Sequence, residues 1–159
     1  MATELISPRE LSAAEVGFCV SLISDGGAVE RKYVERYFPE SASVALIRIE
    51  RLIVGVGVIK PRREEYANQV AKRSGYRLAP ELHELGYVTL HRDYQGKGLS
   101  HEIVGALVSA FADQPIFATT SSGAMKTALS RVGFEPRGVE WKGSKGDLLS
   151  LWLRVPPGS

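Results

Sequence analysis

A chain of 159 residues with 44% hydrophobic and 24% charged residues has the composition of a globular domain, long enough to bury about 70% of the surface its unfolded form exposes. The net charge of +2 is too small to imply nucleic acid, though it does not exclude it, and no apolar run approaches the roughly 18 residues of a membrane span. One cysteine, Cys19, rules out an internal disulfide and any multi-thiolate metal site, and the start MATELISPRE resembles neither a signal nor a transit peptide, so the expected location is the cytoplasm.

Thr3 to Ile6 fits an opening strand. Ser7-Pro8-Arg9-Glu10 has the form of a capping box, and Leu11, Ala14, Phe18, Cys19 and Leu22 follow at helical spacing, which predicts a helix over about 8–24. A short helix over 28–38 should stop before Pro39. SVALIRIE and LIVGVGVIK are β-branched runs joined at Glu50-Arg51, the pattern of a hairpin. Pro61 to Gly75 reads as an inserted helix, with Glu64 and Glu65 in its first turn, Lys72 and Arg73 in its last, and Gly75 as its cap. Its apolar stripe is narrow (Tyr66, Ala67, Val70, Ala71), which predicts a loosely docked lid.

A strand near Leu85 to Leu90 then feeds the loop HRDYQGKG and a helix with Leu99, Ile103, Ala106, Leu107 and Ala110 on one face. A strand at Ile116–Thr120, a helix at Ser122–Val132 ended by Gly133, and strands near Phe134–Val139 and Leu148–Val155 complete the order. Trp141 and Trp152 should pack on those closing strands. The expected organisation is one domain over 1–155 with its inserted helix at about 61–75, and a disordered tail at 156–159.

Gln95-Gly96-Lys97-Gly98-Leu99-Ser100 carries the most chemistry. Two glycines let the backbone turn and approach a ligand, successive N–H groups form an anion nest, and the following helix adds its N-terminal dipole, so a diphosphate fits there. A glycine loop of this kind is by itself an ordinary turn, and its spacing matches neither a Walker A loop nor a dinucleotide fingerprint. Residues 60–77 hold Lys60, Arg62, Arg63, Lys72, Arg73 and Arg77 against Glu64 and Glu65, a local net of +4. His83, His91 and His101 show no sequence-local metal pattern.

Gln95, Gly98 and Ser100 occupy the places of the Q/R-x-x-G-x-G/A motif of the GNAT superfamily, with serine where that motif has glycine or alanine. Upstream, Glu84-Leu85-Gly86-Tyr87-Val88-Thr89-Leu90 resembles the family's fourth strand, and Gly133-Phe134 its closing Gly-Phe. The resemblance implies an α/β fold with a mixed sheet of six to seven strands, splayed between the fourth and fifth and flanked by helices. It implies acetyl transfer from acetyl-CoA to an amine in a direct ternary complex, without a metal.

By position, the resemblance assigns the cofactor to Gln95, Gly96, Lys97, Gly98, Leu99 and Ser100, to the backbone of Val88 and Leu90, and to Ser122. Glu84 falls on the family's frequent general base, with His83 and Glu81 as rivals. Leu129 stands where the family usually has a tyrosine acid, which leaves the acid unassigned. Two other readings stay open: a degenerate GNAT module that binds CoA or a protein partner without catalysis, and transfer of a different acyl or aminoacyl group. The +4 segment would steer an acidic acceptor, and ordinary solvated helix charges explain it equally well. A homodimer also stays open.

Overall fold

In a computed structural model of the chain, residues 3–27, 29–61 and 63–157 are described. The motif S-x-x-E occurs twice in succession, and the second copy starts the first α-helix. Ser12 accepts from the Glu15 N–H at 3.1 Å while the Ser12 N–H donates to Glu15 Oε1 at 2.9 Å, capping α1 (Ala13–Asp25). The first copy, at Ser7, makes no side-chain cap and precedes only a 3₁₀ turn at Pro8–Glu10. The two copies differ in the residues downstream of them: Leu11 turns inward to the core, and the apolar spacing becomes helical only beyond Ser12. The buried stripe is Cys19, Val20, Leu22 and Ile23, while Phe18, expected on it, is 46% exposed. α2 (Arg31–Tyr37) is shorter than the expected 28–38, whose first residue lies outside the described residues. Pro39 stands inside a 3₁₀ turn that continues the helix.

Two compact units divide the chain, Met1–Pro61 with Leu85–Ala110 and Arg62–Glu84 with Phe111–Ser159. In the first, β1 (Thr3–Ile6), β2 (Ser43–Ile49) and β3 (Leu52–Lys60) form antiparallel ladders, and the β2–β3 hairpin turns through Glu50 (φ 51°) and Arg51 (φ 72°), the left-handed pair of a tight two-residue loop. β3 is buried on both faces. Val56 and Val58 join Cys19, Val20, Val34 and Phe38 under α1 and α2. Gly55 and Gly57 face α4 (Leu99–Ala110) instead: a Cβ on Gly55 would stand 2.8 Å from Leu90 Cδ2, and one on Gly57 would stand 3.2 Å from Val88 Cγ2 and closer still to Ile103. Those glycines are what let α4 settle onto the strand. Arg48 ties three elements by reaching Glu4 at 3.0 Å and Glu15 at 2.9 Å.

The second unit holds α3 (Glu64–Ser74), β5 (Ile116–Thr120), α5 (Gly123–Arg131), β6 (Glu135–Lys142) and β7 (Leu148–Arg154), and it contains the first two residues of β4 (His83–Leu90). β5 runs antiparallel to β7, and β7 to β6, whose ladder breaks between Arg137 and Trp141. The strand order is β1-β2-β3-β4-β5-β7-β6, a mixed seven-stranded sheet. β4 and β5 are parallel, and their ladder is only two pairs long, His83↔Ile116 and Glu84↔Phe117. That brevity is the splay expected between the fourth and fifth strands.

The inserted helix is no loose lid. Ala67 and Val70 of α3 are buried in one cluster with Leu78, Leu82, Phe117, Leu151 and Leu153, and Tyr66, Tyr76 and Trp141 pack at its margin. A narrow stripe suffices because its residues are small and meet a broad apolar strand face. Gly75 (φ 75°) ends α3 as expected. Pro156, in the expected tail, is buried, and the last two residues lie outside the described residues.

One contact fixes the far end of α3. Gly138 (φ 68°) packs so closely that a Cβ there would run into the carbonyl of Ser74. Gly138→Ala must leave the left-handed region and push a backbone atom away, so it is expected to destabilise the protein by about 2–4 kcal/mol in urea titration. Gly146→Ala, at φ 84° with nothing within 4 Å, bears the backbone cost alone and should lose about 1 kcal/mol. Equal losses in the two variants would show that the Ser74 contact costs nothing.

Candidate functional site

From the end of β4 the chain is pinned turn by turn. The His91 N–H donates to Val54 O at 2.8 Å, the Asp93 N–H to His91 Nδ1 at 3.2 Å and the Tyr94 N–H to His91 O at 2.8 Å, closing a 3₁₀ turn over Arg92–Tyr94. Gln95 then reaches back, its side-chain amide donating to Leu90 O at 3.2 Å, so this motif residue braces the loop it introduces. Gly96 (φ 76°) and Gly98 (φ 78°) are both left-handed, and a Cβ on either would meet nothing within 4 Å. Both positions therefore face uncrowded space, and α4 starts directly after them at Leu99.

The first N–H groups of a helix have no partner within it, and together with the dipole they favour an anion. Leu99 is buried as the anchor of α4, Ser100 is half-buried beside it, and Lys97 is exposed with Nζ 5.4 Å from the Tyr94 ring centroid. The residues present fit a diphosphate.

β4 carries a feature that its residue pattern did not disclose. Tyr87 has φ 55°, rare for a bulky residue and costly by about 1–3 kcal/mol, so the strand is kinked there. Its ring lies in the cluster under α1 and α2, with Lys60 Nζ 3.9 Å from the ring centroid, while Val88 and Leu90 direct their side chains at the α4 side, beside Gly57 and Gly55. Strain of this kind gathers at functional positions, and here it stands between Glu84 and the Val88–Leu90 segment.

In the second unit Glu84 is 6% exposed. Of its rivals, His83 stacks its ring 5.8 Å from Phe111 and its buried Nδ1 has no hydrogen-bond partner among the described residues, the surroundings of a packed side chain. Glu81 is exposed and lines a cavity of about 390 Å³ with Arg77, Leu82, Asp113 and Leu153. Ser122 caps α5, accepting from the Met125 N–H at 3.3 Å. Leu129 is fully buried, so the place where the family usually has tyrosine is core here.

Tyr66, read from the sequence only as part of an apolar stripe, puts its hydroxyl 2.7 Å from Thr119 Oγ1, and burial, aided by the Glu84 charge, pushes its phenol up to about 12. Cys19 is enclosed in the first unit, where burial pushes its thiol up to about 11, the state of an inert core cysteine. Among the described residues no cluster of three or more His, Cys, Asp or Glu could hold a metal ion, and no helix is long and apolar enough to cross a membrane.

No protein-family model and no curated protein matches the chain, but solved structures match it along almost its entire length. A GNAT family acetyltransferase from Streptococcus agalactiae is 10% identical with a TM-score of 0.68, over 96% of this chain and 95% of that one. This is the GNAT fold. An acyl-CoA N-acyltransferase from Pseudomonas aeruginosa is 12% identical with a TM-score of 0.70, over 98% and 100% of the two chains. A ribosomal-protein-alanine N-acetyltransferase from Brucella melitensis is 16% identical with a TM-score of 0.66, over 98% and 99%. In GNAT terms, the Gly96–Gly98 loop lies between the fourth strand and the helix after it, where the motif resemblance had set it.

Proposed function

We propose that this protein transfers the acetyl group of acetyl-CoA to an amine within a direct ternary complex. The observation that carries the reading is the left-handed Gly96–Gly98 loop, uncrowded at both glycines, at the start of α4 in a GNAT fold. The N–H groups of Gln95 to Ser100 bind the diphosphate, backbone groups of Val88 and Leu90 hold the pantetheine, and Ser122 contributes from the cap of α5. Leu90 O accepts from the Gln95 side chain, which ties the pantetheine segment to the diphosphate loop.

Chemically, the amine nitrogen attacks the thioester carbonyl, the C–S bond breaks, and CoA departs as a thiolate. Glu84 takes the proton that the nucleophile must shed. A thiolate is a tolerable leaving group, since thiols titrate near ~8.5, so catalysis does not depend on a hydroxyl acid at position 129. The test is thiol release from acetyl-CoA with spermidine, free amino acids, lysine-containing peptides, peptides with free N-termini and aminoglycosides. Saturable release above the hydrolysis background with at least one amine is expected. Binding of acetyl-CoA without release from any of them would identify the chain as a CoA-binding module instead, and faster release from another acyl-CoA would reassign the donor.

The acceptor, or the molecule that carries it, is proposed to be acidic. Lys72, Arg73 and Arg77 lie on the last turn of α3 and just beyond it, all three exposed, while Arg62 lies outside the described residues. Reversing Lys72, Arg73 and Arg77 to glutamate should raise the acceptor KM roughly 3- to 10-fold at low salt and flatten its salt dependence, with acetyl-CoA affinity unchanged. Lower acetyl-CoA affinity would assign these charges to the cofactor. No change in either would make them plain solvating charges that suit the helix dipole.

A further inference from the structure

The ammonium of Lys60 stands 3.9 Å from the centroid of the Tyr87 ring, and the strands that carry the two residues put it there. Along β3, Val56 and Val58 lie in the cluster under α1 and α2, so Lys60, two residues further on, leaves the strand on that same face. Tyr87 sends its ring into the same cluster and is 8% exposed, while Lys60 is half-buried at the end of its strand. Lysine suits such a place, because its stem is apolar and the negative face of an aromatic ring attracts its charge.

The same strand also holds the residues that follow Tyr87. Val88 and Leu90 pack over Gly57 and Gly55, and the His91 N–H donates to Val54 O at 2.8 Å. The placement of Val88–Leu90 against β3 therefore begins at a left-handed residue, Tyr87 at φ 55°. That conformation is unfavourable for a bulky residue and persists only where the surroundings over-determine it. A buried ring with a cation on its face is such a constraint. Released from it, Tyr87 gains by returning to the extended region, and that return rotates the peptide groups after it.

We propose that Lys60 is a positioning residue for acetyl-CoA: its ammonium on the Tyr87 ring holds the kink of β4, and with it the Val88–Leu90 backbone. This role rests on the reading of Val88 and Leu90 as the pantetheine segment. Without the cation the kinked arrangement becomes a smaller share of the folded molecules, and apparent affinity falls in proportion to that share.

The experiment compares two ligands by calorimetric titration: acetyl-CoA, and 3′-phospho-ADP, which keeps the diphosphate and has no pantetheine. Lys60→Met keeps an apolar stem and loses the charge; it should raise the acetyl-CoA Kd about 3- to 10-fold and leave the 3′-phospho-ADP Kd within about twofold of the parent. Lys60→Arg, which restores a cation, should bring acetyl-CoA back to within about twofold. Tyr87→Phe keeps the ring face and should bind normally, whereas Tyr87→Leu should lose about as much as Lys60→Met. In the Tyr87→Leu background, Lys60→Met should cost no more than about a further twofold, because no ring is left for the cation to hold.

Equal weakening of both ligands by Lys60→Met overturns the proposal, since it signals general damage, and so does unchanged acetyl-CoA affinity. A Lys60→Arg protein as weak as Lys60→Met overturns it too. If the parent binds acetyl-CoA no more tightly than 3′-phospho-ADP, the pantetheine reading fails and this role falls with it. Should Tyr87→Leu not fold, the contrast between Lys60→Met and Lys60→Arg decides the matter with the ring intact.

Discussion

Gly98→Val is expected to weaken acetyl-CoA binding at least tenfold in a protein that still folds. Gly98 stands at φ 78°, where valine, branched at Cβ, is strongly disfavoured, so the substitution forces the turn to open and swings the flanking N–H groups out of convergence. Crowding within the protein plays no part, since a Cβ at this position meets nothing within 4 Å. What the branched side chain does enter is the uncrowded space at the loop proposed to hold the diphosphate. A tenfold loss corresponds to about 1.4 kcal/mol, less than the combined cost of one displaced charge-assisted hydrogen bond and the strained turn. Gly105→Ala in the middle of α4, also with open space around it, is the matched control and should bind normally while gaining about 0.5–1 kcal/mol of stability. Calorimetric titration of both variants decides the matter, and unchanged affinity in a folded Gly98→Val protein would remove the loop from the binding site.

What was legible in the residues is what local chemistry dictates. The terminators Gly75 and Gly133 and the glycine loop announce themselves through a left-handed backbone that few other residues accept, Ser122 through its capping hydroxyl, and the turn at Glu50-Arg51 through the break between two β-branched runs, and the structure has all of them. Where two local signals compete, the pattern cannot choose: Ser7 and Ser12 begin the same S-x-x-E motif, and only the inward turn of Leu11 decides for the second. The same holds for Phe18, whose spacing suits either edge of a helix face until the sheet beneath is in place.

Two features escaped altogether because they are long-range. The left-handed Tyr87 is maintained by packing from α1, α2 and β3, and nothing in E-L-G-Y-V-T-L marks it. Tyr66 and Thr119 are 53 residues apart, and only the β4–β5 register together with the docking of α3 makes them neighbours. A tyrosine among alanines and a valine on a narrow stripe was the one available sign, since a phenol there must bury its ring and find a partner for its hydroxyl.

Glu84→Gln is expected to cut turnover roughly 10²–10⁴-fold while leaving acetyl-CoA affinity nearly unchanged. The amide matches the carboxylate in shape, so the packing around a side chain that is 6% exposed should survive, and the melting temperature is the check on that. What is lost is the one buried carboxylate among the three candidates. Glu81 is exposed at a separate cavity and His83 is packed on Phe111. A further signature distinguishes a missing base from a damaged fold. An aliphatic amine titrates near ~10, so its unprotonated, nucleophilic fraction rises about tenfold for each pH unit between 7 and 9. Wild-type enzyme, which removes the proton itself, gains less from that rise than a variant that must wait for free amine. The ratio of wild-type to Glu84→Gln turnover should therefore shrink steadily from pH 7 to pH 9. A constant ratio would point to misfolding or to a lost binding contact, and turnover within a few-fold of wild type at every pH would show that Glu84 is structural and return His83 and Glu81 as the residues to test.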